Sequence, residues 1–381
     1  MSASDQTTSA GQIALSGRSE RDDPPSALRE ALAAVALQLA KAGSAPHQLT
    51  EMIWTAPDPA AVHPSRRAID LAYREVFGGL RPPLTLRQGS EKALIISAST
   101  TAASAPDPHP IWRTYAATEL AQQYSARSQI PDMGAVFAQW SRDGAAFCAQ
   151  HQGLDLAYGR EAAARLDLYR PEGIAKPPLW VFIHGGYWQS VAKEQNAQFT
   201  AGMLRSGYAV ANLDYSLCPE APLAQIVLQI RGALNFLRRE ADNLAVDGSR
   251  LHLAGHSAGA HLAAMMAVDP DCPPIASVLL ISGLFDLRPL ALLPMGRVLG
   301  LADGAVVRRN SPVNFRPRLS CRVGLALGTL ESDEFKRQSA DLAPLWRADP
   351  PLVVKERNHF DVLDGLVDGD LLQLALKIAK S

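Results

Sequence analysis

From Trp180 onward the chain alternates short apolar runs with longer stretches in which apolar residues recur every third or fourth position. The runs are "WVFI", "YAVANL", "LHLAG", "SVLLIS", "RVGLAL" and "PLVVK", apolar on both sides of the extended backbone. Strands of that kind are buried on both faces, and their alternation with amphipathic stretches such as 223–244 predicts a parallel sheet covered by helices. The expected architecture is a doubly wound α/β domain. Leucines and an isoleucine at helical spacing over 362–379 predict a C-terminal helix packed on it.

The first hundred residues carry a different pattern. "SALREALAAVALQLAKAG" predicts a helix closed by glycine, and "LTEMIWTA" a strand. "SRRAIDLAYREVFGG" predicts a second helix ending at Gly78 and Gly79, and "KALIISASTTA" a last strand. This unit is α+β and holds no catalytic-looking cluster. Between the two patterns, "TAASAPDPHP" at 101–110 mixes alanine, proline and polar residues without periodicity, as linkers do. The division is therefore residues 1–100, a linker at 101–110, and a larger domain at 111–381, with no internal repeats.

Composition narrows the function. The chain has 381 residues, 20% charged, with a formal net charge of −1, so it presents no basic face for nucleic acid or an anionic membrane. A neutral small molecule is the expected partner. The start "MSASDQTTSA" has neither a basic region nor an apolar core, and no apolar run reaches the roughly 18 residues of a membrane helix. A cytoplasmic location is expected. Cys148, Cys218, Cys272 and Cys321 are far apart and form no CxxC pair, which predicts buried free thiols. Nothing calls for a metal or an organic cofactor.

Two stretches carry chemistry. In "LHLAGHSAGAHLAAMMA" a strand runs into a helix through Gly255-His256-Ser257-Ala258-Gly259, a G-x-S-x-G turn. Such a turn holds the Ser257 hydroxyl clear of the backbone, while the small flanking residues let strand and helix approach. The helix start aims amide N–H groups at any developing anion. In "WVFIHGGYW" an earlier strand delivers a histidine, two glycines and two aromatics to one point. A glycine loop there supplies further donors to an oxyanion, so the candidate hole is the Ala258 N–H with those of Gly186 and Tyr187, or of Gly185 and Gly186. His184 is expected to anchor the loop.

A serine nucleophile needs a base and an orienting acid, which follow it in the chain order acid, then histidine. His256 and His261 lie too close to Ser257 to reach its hydroxyl from a separate loop and are expected to pack or bond locally. His359 in "RNHFDVLDG" follows the strand-like "PLVVKE" and is the candidate base. For the acid, "TLESDEF" after "RVGLALG" offers Glu331 first and Asp333 in reserve. Asp286 in "SGLFDL" is read as a structural carboxylate.

From about Ile111 to the end, the chain resembles the kynurenine formamidase (arylformamidase) branch of the α/β-hydrolases. The matching pieces are "HGGYW", "DYSLCPE", "GHSAGAHLAA", "SGLFDL", "ESDEFKRQS" and "NHFDVLD". The resemblance implies a nucleophile at Ser257, an acid at Glu331 and a base at His359, acting on an aromatic amide or ester. Glutamate stands where the family often has aspartate. The resemblance also implies that Tyr187 and Trp188 wall an aromatic substrate pocket. A serine triad of this kind is expected to cleave esters as well.

Residues 11–103 resemble the Rid family, imine and enamine deaminases with a chorismate-mutase-like fold that usually form trimers. The stretches are "AGQIAL", "LAKAGSAPHQLTEMIW", "AYREVFGGLRPPLTL" and "ALIISASTTAA". The family's first hairpin is missing ahead of "AGQIAL", and Leu84 stands where the deaminases carry a substrate-binding arginine, with Arg87 at the wrong offset. The expectation is an incomplete domain that acts in homo-oligomer assembly.

Overall fold

The computed structural model describes residues 12–19, 31–36, 38, 49–56, 84–88, 94–101 and 109–380. Two compact units divide the chain, one taking Met1–Thr118 with Pro131–Gly134, the other Glu119–Ile130 with Ala135–Ser381.

In the first unit, strands β1 (Gln12–Ser19), β2 (Leu49–Ala56), β3 (Leu84–Gln88) and β4 (Leu94–Thr101) form one sheet in the order β1-β4-β2-β3. β4 pairs antiparallel with β1 and β2, and β2 pairs parallel with β3. The sequence reading contains β2 and β4 but neither edge strand. Each edge strand is short or interrupted in its alternation ("QIALSGRS", "LTLRQ"), and its pairing comes from residues distant in the chain. Residues 31–36 are helical, with Ala31, Leu32 and Val35 buried, inside the first expected helix. The second expected helix lies outside the described residues, as does most of the expected linker.

The second unit is built on eight strands: β5 (Leu154–Ala157), β6 (Arg165–Tyr169), β7 (Pro178–Ile183), β8 (Ala209–Leu213), β9 (Asp247–His256), β10 (Ser277–Ile281), β11 (Arg322–Gly328) and β12 (Leu352–Val354). Their order is β12-β11-β10-β9-β7-β8-β6-β5. The six strands from β12 to β8 are parallel, as their two-sided apolar runs require; β8 and β10 are buried at every position. The β5–β6 hairpin adds an antiparallel edge that the sequence reading passed over. Its signal is alternation, Leu-Asp-Leu in each strand; the outer strand β5 is largely exposed, whereas β6 is buried from Leu166 to Tyr169.

Helices flank the sheet. Leu223–Arg239 buries Ile226, Ile230, Ala233, Leu234 and Leu237 along one stripe. Ala258–Val268 is buried along nearly its whole length and packs against β7, β9 and β10. The expected single C-terminal helix is broken into Gly365–Asp368 and Asp370–Lys380, because Gly369 between them leaves the helical region at φ −108° and ψ −156°. Among the described residues no helix is long and apolar enough to cross a membrane, and the four cysteines are free thiols, three of them buried.

Candidate active site

The carboxyl ends of β7 and β9 and the loop after β12 open on one cleft, the position where open α/β sheets bind ligands. Ser257 sits between β9 and helix Ala258–Val268 at φ 55° and ψ −116°, a conformation a non-glycine residue holds only under strain. Its N–H donates to the Ile281 carbonyl at 2.8 Å, and its carbonyl accepts from His261 N–H at 3.1 Å. The flanking glycines are required by packing: a Cβ on Gly255 would strike the Gly259 carbonyl, and one on Gly259 the Ile183 carbonyl at the end of β7.

The glycine loop lies against the serine. A Cβ on Gly185 would stand 3.2 Å from that of Ser257 and 2.9 Å from the His256 ring. Gly186 has φ +99°, and Tyr187 and Trp188 follow at φ 52° and 55°, so the loop turns through three successive left-handed residues. The "DYSLCPE" segment holds it there. Asp214 bonds His184 Nε2 at 3.0 Å, the Tyr215 ring stacks on His184 at 4.4 Å, and the Tyr215 hydroxyl donates to the His184 carbonyl at 2.9 Å. Cys218 N–H donates to the Trp188 carbonyl at 2.6 Å. His184 is thus an anchor of the loop.

His359 Nδ1 meets Glu331 Oε2 at 2.7 Å, both side chains buried. The other carboxylate oxygen accepts from the Ser282 hydroxyl at 2.6 Å and from Gly328 N–H at 2.8 Å. Three donors fix the carboxylate, and an accepting carboxylate places the imidazole proton on Nδ1, leaving Nε2 as the acceptor. Asp333 does not share this geometry. Ser332 caps helix Asp333–Trp346, so Asp333 stands in its first turn and is exposed. Asp286 binds Arg288 through its backbone and guanidinium, a structural carboxylate.

His256 and His261 bond across the fold rather than locally. His256 Nε2 donates to the His359 carbonyl at 2.7 Å, and the two rings lie 4.7 Å apart. Burial, with His359 nearby, drives the His256 pKa well below its ordinary value, so it is a neutral strut that positions the His359 backbone. His261 Nε2 donates to the Asn310 carbonyl at 2.7 Å, and burial lowers its pKa to about 4.

The two loop aromatics separate. Tyr187 lines the cleft, and its hydroxyl donates to the Tyr124 carbonyl. Trp188, expected beside it as a pocket wall, is fully buried behind the loop and packs edge-on against His261 at 4.9 Å; it does not line the cleft. The Trp188 ring still meets that of Tyr187 edge-on, 6.4 Å between centroids. Other residues supply the walls: Phe137 and Trp140 from helix Met133–His151, Val191, Phe360, and Arg127 at the rim. Phe137 and Trp140, one helical turn apart on the same helix, are a signal that the sequence reading missed, and Phe360 adjoins His359. Arg127 has no sequence signal. Among the described residues no cluster of His, Cys, Asp or Glu could hold a metal ion.

The BD-FAE family matches over residues 166–275. A crystal structure of a candidate thioesterase from Silicibacter sp. TM1040 is similar at 33% identity and a TM-score of 0.61, covering 67% of this chain and 98% of that one. The kynurenine formamidase of Salmo salar is 32% identical over 59% of this chain and 81% of its own length. That of Danio rerio is 30% identical over 292 residues, 70% of this chain and 98% of its own. With nearly the whole length of that enzyme matched at 30% identity, the chain belongs to the kynurenine formamidase family of α/β-hydrolases and hydrolyses amide or ester bonds.

Proposed function

We propose that the chain is an arylformamidase that releases formate from an N-formyl aromatic amine such as N-formyl-kynurenine, with Ser257 as nucleophile, His359 as base and Glu331 as the orienting acid. The observation that carries the reading is the 2.7 Å bond between His359 Nδ1 and Glu331 in the cleft that also exposes the Ser257 turn.

His359 Nε2 takes the Ser257 proton as Oγ adds to the formyl carbon. The resulting oxyanion accepts from Ala258 N–H and from the Gly185, Gly186 and Tyr187 amides of the glycine loop. His359 then gives the proton to the departing aryl amine as the C–N bond breaks, leaving formyl-Ser257. Water, deprotonated by His359, attacks this ester; formate leaves and Ser257 regains its proton. The aromatic lining formed by Phe137, Trp140, Tyr187 and Phe360 suits a flat ring on the leaving amine.

The same groups would cleave small esters, and the likeness to a candidate thioesterase favours this as a second reading. Hydrolysis of N-formyl-kynurenine beside p-nitrophenyl acetate, by the native protein and Ser257→Ala, separates the two. Preference for the formamide, lost in the variant, supports the arylformamidase; ester turnover alone sends the chain to the carboxylesterases. For the N-terminal unit the reading is assembly, and sedimentation of the full chain as a monomer would end it.

A further inference from the structure

The overall charge balance points to a neutral ligand, but the cleft does not share that balance. Among the described residues that line it, Arg127 alone carries a permanent charge; Glu331 lies behind His359 and does not reach the lining. The remaining walls are aromatic or apolar, chiefly Phe137, Trp140, Tyr187, Val191 and Phe360. A charge beside such walls is felt more strongly than one on open surface.

The guanidinium is held, not loose. Its Nη2 donates to Ser190 Oγ at 2.7 Å, and Ser190 in turn donates to the Gly186 carbonyl at 3.1 Å. It also lies over the Phe137 ring, 5.1 Å from the centroid. Two bonds therefore tie its position to the glycine loop beside Ser257. A planar, preoriented guanidinium matches a carboxylate far better than it matches a neutral group.

We propose that Arg127 is a substrate-binding residue that selects aromatic amides or esters bearing a carboxylate on the leaving group. The inference rests on the hydrolytic reading of the cleft for its direction: a formyl group has no substituent, so the anion belongs to the leaving amine or alcohol.

The test uses the full chain and two matched pairs, 3-formamidobenzoate with formanilide and 3-acetoxybenzoate with phenyl acetate. In the native protein, kcat/KM favours the carboxylate member of the hydrolysed pair, and added salt erodes the preference. In Arg127→Gln the anionic-to-neutral ratio falls at least tenfold, mostly through KM, and Arg127→Lys, which keeps the charge but not the planar fork, restores part of it. A ratio unchanged within about twofold in Arg127→Gln would overturn the proposal, as would equal loss on both members, which marks a collapsed cleft wall. Turnover of the ester pair alone would defeat the formamidase reading and leave the Arg127 ratio to decide this one. Calorimetric binding of benzoate against benzamide to the native protein needs neither turnover nor a variant. Tighter binding of benzoate supports the proposal, and equal binding refutes it.

Discussion

The back of the cleft and its mouth are built by opposite means. At the back, Ser257, His359 and Glu331 stand at the ends of parallel strands and are buried, and the strain at Ser257 and Ser282 is held by bonds from β10 and β11. At the mouth, Arg127, Phe137 and Trp140 come from segments that precede the sheet, and they meet through ring contacts such as Phe137 with Trp140 at 5.7 Å and Trp140 with Phe360 at 6.0 Å. A bond step needs atoms placed to a fraction of an ångström, which strand ends in a close-packed sheet supply. Recognition of a ring needs area and a charge, which helices laid over the cleft supply. On the proposed roles, chemistry and selectivity are separable on this fold.

The largest effects test the back. Ser257→Ala should cut kcat on the order of 10⁵-fold while the substrate still binds; residual turnover within tenfold of the native rate would remove the serine from the reaction. Glu331→Gln keeps the shape but loses the charge and the oriented tautomer, and should cost about 10³-fold or more in kcat. If Asp333→Asn costs as much, the exposed carboxylate has been misjudged. At the mouth, Trp140→Ala should raise KM about tenfold for aromatic substrates with little change in kcat. A matching fall in kcat would break the separation of the two regions.

The smallest effect concerns the scaffold. Burial lowers the pKa values of His252 and His261 to about 4, below the ordinary value near 6.5. The unfolded chain therefore binds more protons than the folded one in that window, so stability is full above pH of about 6.5 and falls as the pH drops toward 4. The melting temperature should decline over this range, and His261→Gln should make the decline shallower; an identical slope would show that His261 titrates alike in both states.

The strand runs after Trp180 and the G-x-S-x-G turn were legible because their signals are local. A strand buried on both faces must be apolar throughout, and the Gly255 and Gly259 positions admit no Cβ. The strands β1, β3, β5 and β6 were not legible in the same way. They are short or interrupted in their alternation, and their pairing depends on partners elsewhere in the chain.

By itself, the sequence determined the parallel core of the sheet, the backbone turn that presents Ser257 and the glycine loop beside it, since each follows from residues adjacent in the chain. Only the tertiary structure decided that Glu331 rather than Asp333 meets His359, that His256 braces it from 103 positions away, that Trp188 turns inward and that Arg127 reaches the rim. Those are contacts between distant segments, fixed by how helices and loops pack over the strand ends; the strand-end position put Glu331 ahead of Asp333, and no local pattern encodes the rest.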